Sequence, residues 1–190
     1  MGRYEIRLSG AGGQGMILAG IILAEAGVMV DNLNVSQSQS YGPESRGGAS
    51  RAEVVFDEDQ IDFPKVIKPD LLVCLTQEAF EHYGADLKSY GVIIADSRID
   101  ISSIKPELKD NIYQLDILDL AANKIGKEIS ANMIVLGIIA RIIQTKISVE
   151  FIKKAIIEKV PPKTIDANME AFELGFQLKL DKRSYAYGRI

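Results

Sequence analysis

One cysteine and one histidine stand in a chain of 190 residues, and that scarcity limits the chemistry before any pattern is considered. A cysteine-ligated iron–sulfur cluster or a Cys/His zinc site needs several soft ligands, so neither can be assembled from this chain alone. Cys74, inside the apolar run Leu71-Leu72-Val73-Cys74-Leu75, is expected to be a core thiol. His82, beside Tyr83 and Gly84, is expected at the surface near a helix end. A Ser-His-Asp triad finds no support, because the chain has no nucleophile-elbow pattern. Long apolar runs are missing as well. The most apolar late stretch, Met133 to Ala140, stops at Arg141, well short of the ~20 residues that span a bilayer. The start, Met1-Gly2-Arg3-Tyr4-Glu5, lacks the apolar core of a signal peptide, which makes the cytoplasm the default location. A basic block is absent too. The net charge of -4 is spread along the chain, without the footprint of a nucleic-acid binder. Glu58, Asp59 and Asp62 form an acidic turn that lacks the ordered spacing of a calcium loop.

What is present is an ordinary globular composition, with 47% hydrophobic and 25% charged residues, in a length suited to one α/β domain. Its most informative stretch is Ile6-Arg7-Leu8-Ser9-Gly10-Ala11-Gly12-Gly13-Gln14-Gly15. A strand followed by Gly-x-Gly-x-x-Gly and a helix is the fingerprint of a nucleotide-binding βα unit. Its glycines let backbone approach an anion, and the helix start points free N–H groups at it. A dinucleotide site also needs an acidic residue at the end of the second strand to hold the ribose hydroxyls. Here Leu33-Asn34-Val35-Ser36 ends in Gln37, Ser38 and Gln39, and Asp31 lies before the strand. The loop therefore calls for a use other than NAD binding.

Along the chain, Tyr4, Ile6 and Leu8 alternate with Glu5 and Arg7, the period of a strand with one buried and one partly polar face. A helix is predicted from about Gly13 to Val30, with Glu25 its only charge after Met16. A helix apolar nearly all round is covered on both sides: by the sheet on one, and on the other either by a second protein chain or by the late helices. Ser36 to Arg51 is predicted as a long polar loop with turns at Gly42-Pro43 and Gly47-Gly48. It would leave the carboxyl end of the second strand beside the glycine turn, at the edge where α/β sheets bind ligands. Arg46 and Arg51 offer planar donors for carboxylate or phosphate, with Glu44 able to hold one of them. Further strands are expected at Ala52 to Phe56, Leu71 to Leu75, Gly91 to Ala95 and Asn111 to Leu115. Short helices are expected at Thr76 to Tyr83 and Ile117 to Ile125. Later helices run from a Ser130 cap to Thr145, from a Ser148 cap to Val160, and from Thr164 to Leu178, with Pro161-Pro162 as a break. The fold class is α/β: one Rossmann-like domain over residues 1–180, with a mostly parallel sheet flanked by helices and a helical C-terminal part. Residues 181–190 form a tail without periodicity, either disordered or laid along a partner.

The pairing of Ser9-Gly10-Ala11-Gly12-Gly13-Gln14-Gly15 with Gln39-Ser40-Tyr41-Gly42-Pro43-Glu44-Ser45-Arg46-Gly47-Gly48 resembles the γ subunit, or γ domain, of the 2-oxoacid:ferredoxin oxidoreductases. Asn132-Met133-Ile134-Val135-Leu136-Gly137 and Asn168 to Gly175 resemble later segments of that family. The likeness covers roughly residues 4–178 and is greatest to the 2-oxoglutarate branch, with pyruvate, 2-oxoisovalerate and indolepyruvate branches open. It implies a complex in which α and β catalytic subunits hold thiamine diphosphate. A ferredoxin-like δ subunit holds iron–sulfur clusters, ferredoxin accepts the electrons, and coenzyme A takes the acyl group. This chain would then carry no cofactor, no metal and no catalytic residue, in keeping with its poverty in Cys and His. Gly10, Gly12, Gly13, Gln14, Gly15, Tyr41, Glu44, Arg46 and Gly47 become candidate contacts near a cofactor or between subunits. Among them Arg46 is the leading anion or ion-pair contact and Tyr41 a packed anchor. Two rival readings are a free-standing nucleotide- or flavin-binding protein, and a structural subunit whose glycines serve only close packing.

Overall fold

The computed structural model describes residues 2–41 and 49–180, the side chains of Tyr41 and Ala49 excepted. One six-stranded sheet runs through it, in the order β2-β3-β1-β4-β5-β6. These strands are β1 (Tyr4–Ala11), β2 (Asn34–Tyr41), β3 (Ala49–Asp57), β4 (Leu71–Cys74), β5 (Val92–Asp96) and β6 (Ile112–Leu115). The pairings β1–β4, β4–β5 and β5–β6 are parallel, whereas β3 runs antiparallel to both β1 and β2. The sheet is thus mixed α/β: a parallel half and a hairpin half share β1.

That hairpin departs from the predicted loop. Ser36 to Tyr41 belong to β2, and Ala49 to Arg51 begin β3, so only residues 42–48 lie between the two strands. Ser and Gln have little strand preference of their own. The register opposes Val35 to Phe56, Ser36 to Val55 and Gln37 to Val54, and such pairing with a β-rich neighbour decides the conformation.

Helices α1 (Met16–Val28), α3 (Ile117–Asn123), α4 (Ala131–Ile143), α5 (Val149–Lys159) and α6 (Ile165–Gln177) pack on one face. The opposite face of the parallel half is covered by α2 (Gln77–Tyr83) and by Ile99, Ile101, Ile104 and Leu108. The helix α1 starts at Met16 rather than Gly13, because Gly13 and Gly15 hold positive φ angles of 90° and 74°, outside the right-handed helical region. Its second side is covered by α4 and α5, with an ion pair between Lys159 and Glu25. The late helices therefore supply an outer layer for it. Gly20 and Gly27 bring α1 against Ala52 and Phe56 of β3.

Thr76 caps α2 by accepting the Ala79 N–H at 3.2 Å, and Ser148 caps α5 by accepting the Glu150 N–H. The expected Ser130 cap is not formed. A short turn over Glu128–Ser130 runs straight into α4, Ser130 itself is helical, and its side chain makes no capping bond. The helix α4 is buried at every position from Ala131 to Ala140, so it forms the centre of the helical layer rather than an amphipathic cover. The tail 181–190 lies outside the described residues.

Candidate functional site

The carboxyl ends of β1, β2, β4 and β5 lie on one rim of the sheet. Ala11 at the end of β1 opposes Ala49, and Ser50 opposes both Gly10 and Tyr41. Ser9 opposes Cys74, and the Leu75 N–H donates to the Ser9 carbonyl at 3.0 Å. Two hydroxyls close the strand ends: Ser9 Oγ donates to the Ser50 carbonyl at 3.2 Å, and Ser50 Oγ donates to the Gly10 carbonyl at 3.1 Å.

The glycine turn is held from within by Gln14. Its Oε1 accepts the Ala11 N–H at 2.8 Å, and its own N–H donates to the Ala11 carbonyl at 3.2 Å. A Cβ at Gly10 would collide with that Oε1, which gives Gly10 a packing reason. Gly12 and Gly13 are exposed, with open space where a Cβ would lie. Gly15 starts α1, and a Cβ there would collide with Nδ2 of Asn132 on α4. The five turn residues predicted as contacts thus split. Gly10, Gln14 and Gly15 serve the turn's own packing, and Gly12 and Gly13 face outward.

Of the remaining candidates, the backbone of Tyr41 ends β2 on this rim, separated from the glycine turn by β3. Glu44, Arg46 and Gly47, like the side chain of Tyr41, lie outside the described residues. Arg51, placed by sequence in the loop, is on β3 with its Nε 3.7 Å from Glu53 Oε1.

A dinucleotide site fits poorly. In such sites the acidic residue ends the strand next to β1. Here β3 stands between β1 and β2, so the end of β2 is about 10 Å from the turn, two strand spacings away. Gln39 and Ser40, near that end, are uncharged.

Sequence reasoning missed a charge cluster under the hairpin half. Arg7 and Glu53, each 4% exposed, form an ion pair at 2.9 Å, and Arg7 reaches Asp86 at 3.3 Å. The Arg7 guanidinium sits 5.0 Å from the centre of the Tyr83 ring. Ser38 Oγ donates to Glu53 Oε2 at 3.3 Å. The alternation of Glu5 and Arg7 with apolar residues signalled a partly polar face, but not that α2 would bury it.

Cys74 is fully buried at the end of β4. Burial pushes its thiol from 9.0 up to about 12, against a smaller lowering by Arg7, so it stays protonated and unreactive. His82 is exposed near the end of α2 and meets Tyr83 edge-on at 5.4 Å. Among the described residues no three His, Cys, Asp or Glu side chains gather as a metal site requires, and no helix is long and apolar enough to cross a membrane.

Comparison with known proteins matches residues 5–178 to the family model described as pyruvate ferredoxin/flavodoxin oxidoreductase. The 2-oxoglutarate synthase subunit KorC of Methanocaldococcus jannaschii is 46% identical over 176 residues, 93% of this chain and 94% of that protein. A keto/oxoacid ferredoxin oxidoreductase gamma subunit from Geobacter sulfurreducens is 42% identical, with a TM-score of 0.78 over 93% of this chain and 96% of that one. The same fold recurs, at 22% identity and a TM-score of 0.78, within the longer chain of a 2-oxoglutarate:ferredoxin oxidoreductase from Magnetococcus marinus. This chain covers 32% of that one.

Proposed function

Because the chain belongs to the pyruvate ferredoxin/flavodoxin oxidoreductase family, as a gamma subunit of a 2-oxoacid:ferredoxin oxidoreductase, we propose that its complex acts on 2-oxoglutarate. The reaction is oxidative decarboxylation with coenzyme A to an acyl-CoA, carried out in the cytoplasm with ferredoxin as electron acceptor. One observation carries the choice of substrate: the 46% identity to a 2-oxoglutarate synthase subunit over nearly the full length of both chains.

The donor set of this chain does not fit the family's inorganic chemistry. Its single cysteine is buried in β4, and an iron–sulfur cluster needs several thiolates. The clusters are accordingly placed in a ferredoxin-like δ subunit, and we assign thiamine diphosphate and the reacting carbon to α and β catalytic subunits. This chain, inactive alone, contributes shape.

The surface it offers for docking on the catalytic subunits, near the cofactor or the coenzyme A passage, is the rim that carries the glycine turn and the end of β2 at Tyr41, with β3 between them. Two features support this. Gly12 and Gly13 present backbone without side chains in the way. The edge strand β2 has no charged residue from Asn34 to Tyr41, although free edges of monomeric proteins are normally guarded by charge. Arg46 is proposed as the anion contact or intersubunit ion pair, and Tyr41 as the anchor. Arg46→Ala in the assembled complex tests this: weakened assembly or a raised KM for coenzyme A is expected, and unchanged assembly with unchanged turnover would remove the role.

A further inference from the structure

At the amino ends of the parallel strands, opposite the glycine turn, the chain fixes an irregular segment with unusual firmness. Between β3 and β4 the backbone of residues 58–70 forms neither helix nor strand, and three alternate residues at the start of β1 clasp it. Arg3 Nη2 donates to the Phe63 and Lys65 carbonyls at 2.9 Å and 2.8 Å. The Glu5 carboxylate accepts the N–H groups of Ile67 and Lys68 at 3.2 Å and 3.0 Å. Arg7 donates to the Val66 carbonyl at 3.3 Å. Held in this way, the segment leaves Phe63 and Ile67 50% and 57% exposed, and Tyr90, just before β5, is 67% exposed. They are three of the six large apolar side chains left in water among the described residues. Covering them is favourable, and a backbone already immobilised loses little freedom on binding.

Charge supplies the second observation. Lys68, Lys88, Lys105 and Tyr90 line a groove of about 370 Å³ that opens to solvent, and Glu107 is the one acid in its wall. Lys88 is neutralised by Asp70 at 2.8 Å, and Arg3 by Glu5 at 2.8 Å. Lys65 and Lys68 have no ion pair among the described residues, and Lys105 donates to the Ala85 carbonyl at 3.3 Å rather than to an acid. A chain of net charge -4 thus gathers unopposed positive charge at one place, from lysines far apart in sequence. An open groove offers a small ligand no enclosure. The apolar side chains sit on an irregular segment and a turn, not on the continuous apolar helix face that lies in a bilayer surface. Apolar anchors ringed by charge of one sign suit another protein of the opposite sign.

We propose that this amino-terminal rim is a second docking surface, and that its occupant is an acidic segment of a partner chain. Carboxylates of that segment meet Lys65, Lys68 and Lys105, around apolar side chains that cover Ile67 and Tyr90. The eight residues of β1 set the two rims roughly 25 Å apart, so the inference does not depend on what docks beside the glycine turn.

The test uses the native complex and the lone chain. Acetylation of amines, read by mass spectrometry, should modify Lys65, Lys68 and Lys105 several-fold more slowly in the complex than in the lone chain. A zero-length carbodiimide should join at least one of them to an Asp or Glu of another chain. Lys68→Glu with Lys105→Glu should weaken retention of that chain by about tenfold or more, and Ile67→Asp should weaken it several-fold. Lys154→Glu on α5, 64% exposed, is the charge control and should leave retention unchanged. All four positions are exposed, so each variant should melt within about 2 °C of the parent, which separates lost docking from lost folding. The proposal is overturned if the three lysines react equally in both states, or if the double variant retains its partners as the parent does. It is equally overturned if the carbodiimide joins these lysines only to acids of this chain or of a second copy. Binding of the lone chain to phosphatidylserine vesicles, abolished by Lys68→Glu, would overturn it in favour of a membrane surface. A null result for Arg46→Ala at the carboxyl rim leaves each of these outcomes unaffected.

Discussion

Replacing Gly137 by alanine tests the tightest packing in the molecule. The helices α4 and α6 cross at Gly137 and Gly175, backbone against backbone. A Cβ on Gly137 would collide with the Phe172 carbonyl oxygen and lie 2.6 Å from the Phe176 nitrogen, while a Cβ on Gly175 would collide with the Ile134 carbonyl oxygen. Ordinary contact at a Cβ is 3.4–4 Å, and the obstacles are main-chain atoms that cannot rotate away. The helices must therefore move apart by roughly 1 Å, a gap that already forfeits a quarter to a half of each dispersion contact along the seam. That seam includes the fully buried Ile134, Ile138, Ala171 and Phe172. Overpacking of a core costs about 1–3 kcal/mol, and a main-chain obstacle places Gly137→Ala near the upper end. In a domain of this size about 3 kcal/mol lowers Tm by roughly 6–12 °C. Calorimetry of Gly137→Ala and Gly175→Ala checks the value, with Gly12→Ala as a control at a position with open space and an expected change within about 0.5 kcal/mol. A Gly137→Ala protein melting within about 1 °C of the parent would show that the helices do not meet this closely.

Glu53→Gln breaks the buried pair with Arg7 while keeping its shape. Loss of one partner of such a pair costs about 3–5 kcal/mol, and the retained contact of Arg7 with the 48% exposed Asp86 offsets part of it, so about 2–4 kcal/mol should be lost in urea unfolding. Joint replacement by Arg7→Met and Glu53→Leu should recover much of that loss. The pH dependence follows from two buried acids whose folded values are raised: Cys74, from 9.0 to about 12, and Tyr4, from 10.0 to about 12, the latter by burial and then by Asp70. The unfolded chain releases these protons first, so it binds fewer protons than the folded one. Stability should therefore fall as pH rises from about 9 towards 12, by up to about 1.4 kcal/mol per pH unit for each group. Cys74→Ala should flatten the first part of that decline, and a disulfide reagent at pH 8 should label Cys74 only after denaturation.

The parallel half of the fold was legible because its residues follow a period. The run Leu71 to Cys74 and the alternation of β1 mark strands, Thr76 marks the start of α2, and Pro161-Pro162 marks the break after α5. The hairpin half was not legible. Ser36 to Ser40 carries no apolar alternation, and its strand exists only through pairing with β3, which is information held elsewhere in the chain. The all-round apolar character of α1 signalled cover on two sides but could not say that α4 and α5 supply it. At the rim, the spacing of the glycines marked the turn. The closing of that turn by Gln14 and the meeting of Gly15 with Asn132 depend on tertiary placement that no local pattern encodes. The segments ending at Gly137 and Gly175 stood out separately in the sequence, and the structure brings them into direct contact.

Under the proposed function this polypeptide docks on partners that carry the chemistry. The most direct measurement is purification of the chain from its native source under mild conditions, with assay of the isolated fraction and of the isolated chain for 2-oxoglutarate-dependent reduction of ferredoxin. Co-elution with a thiamine diphosphate-containing pair and an iron–sulfur chain is expected, with activity in that complex and none in the chain alone. A chain that elutes without partners, or that decarboxylates 2-oxoglutarate unaided, would contradict it.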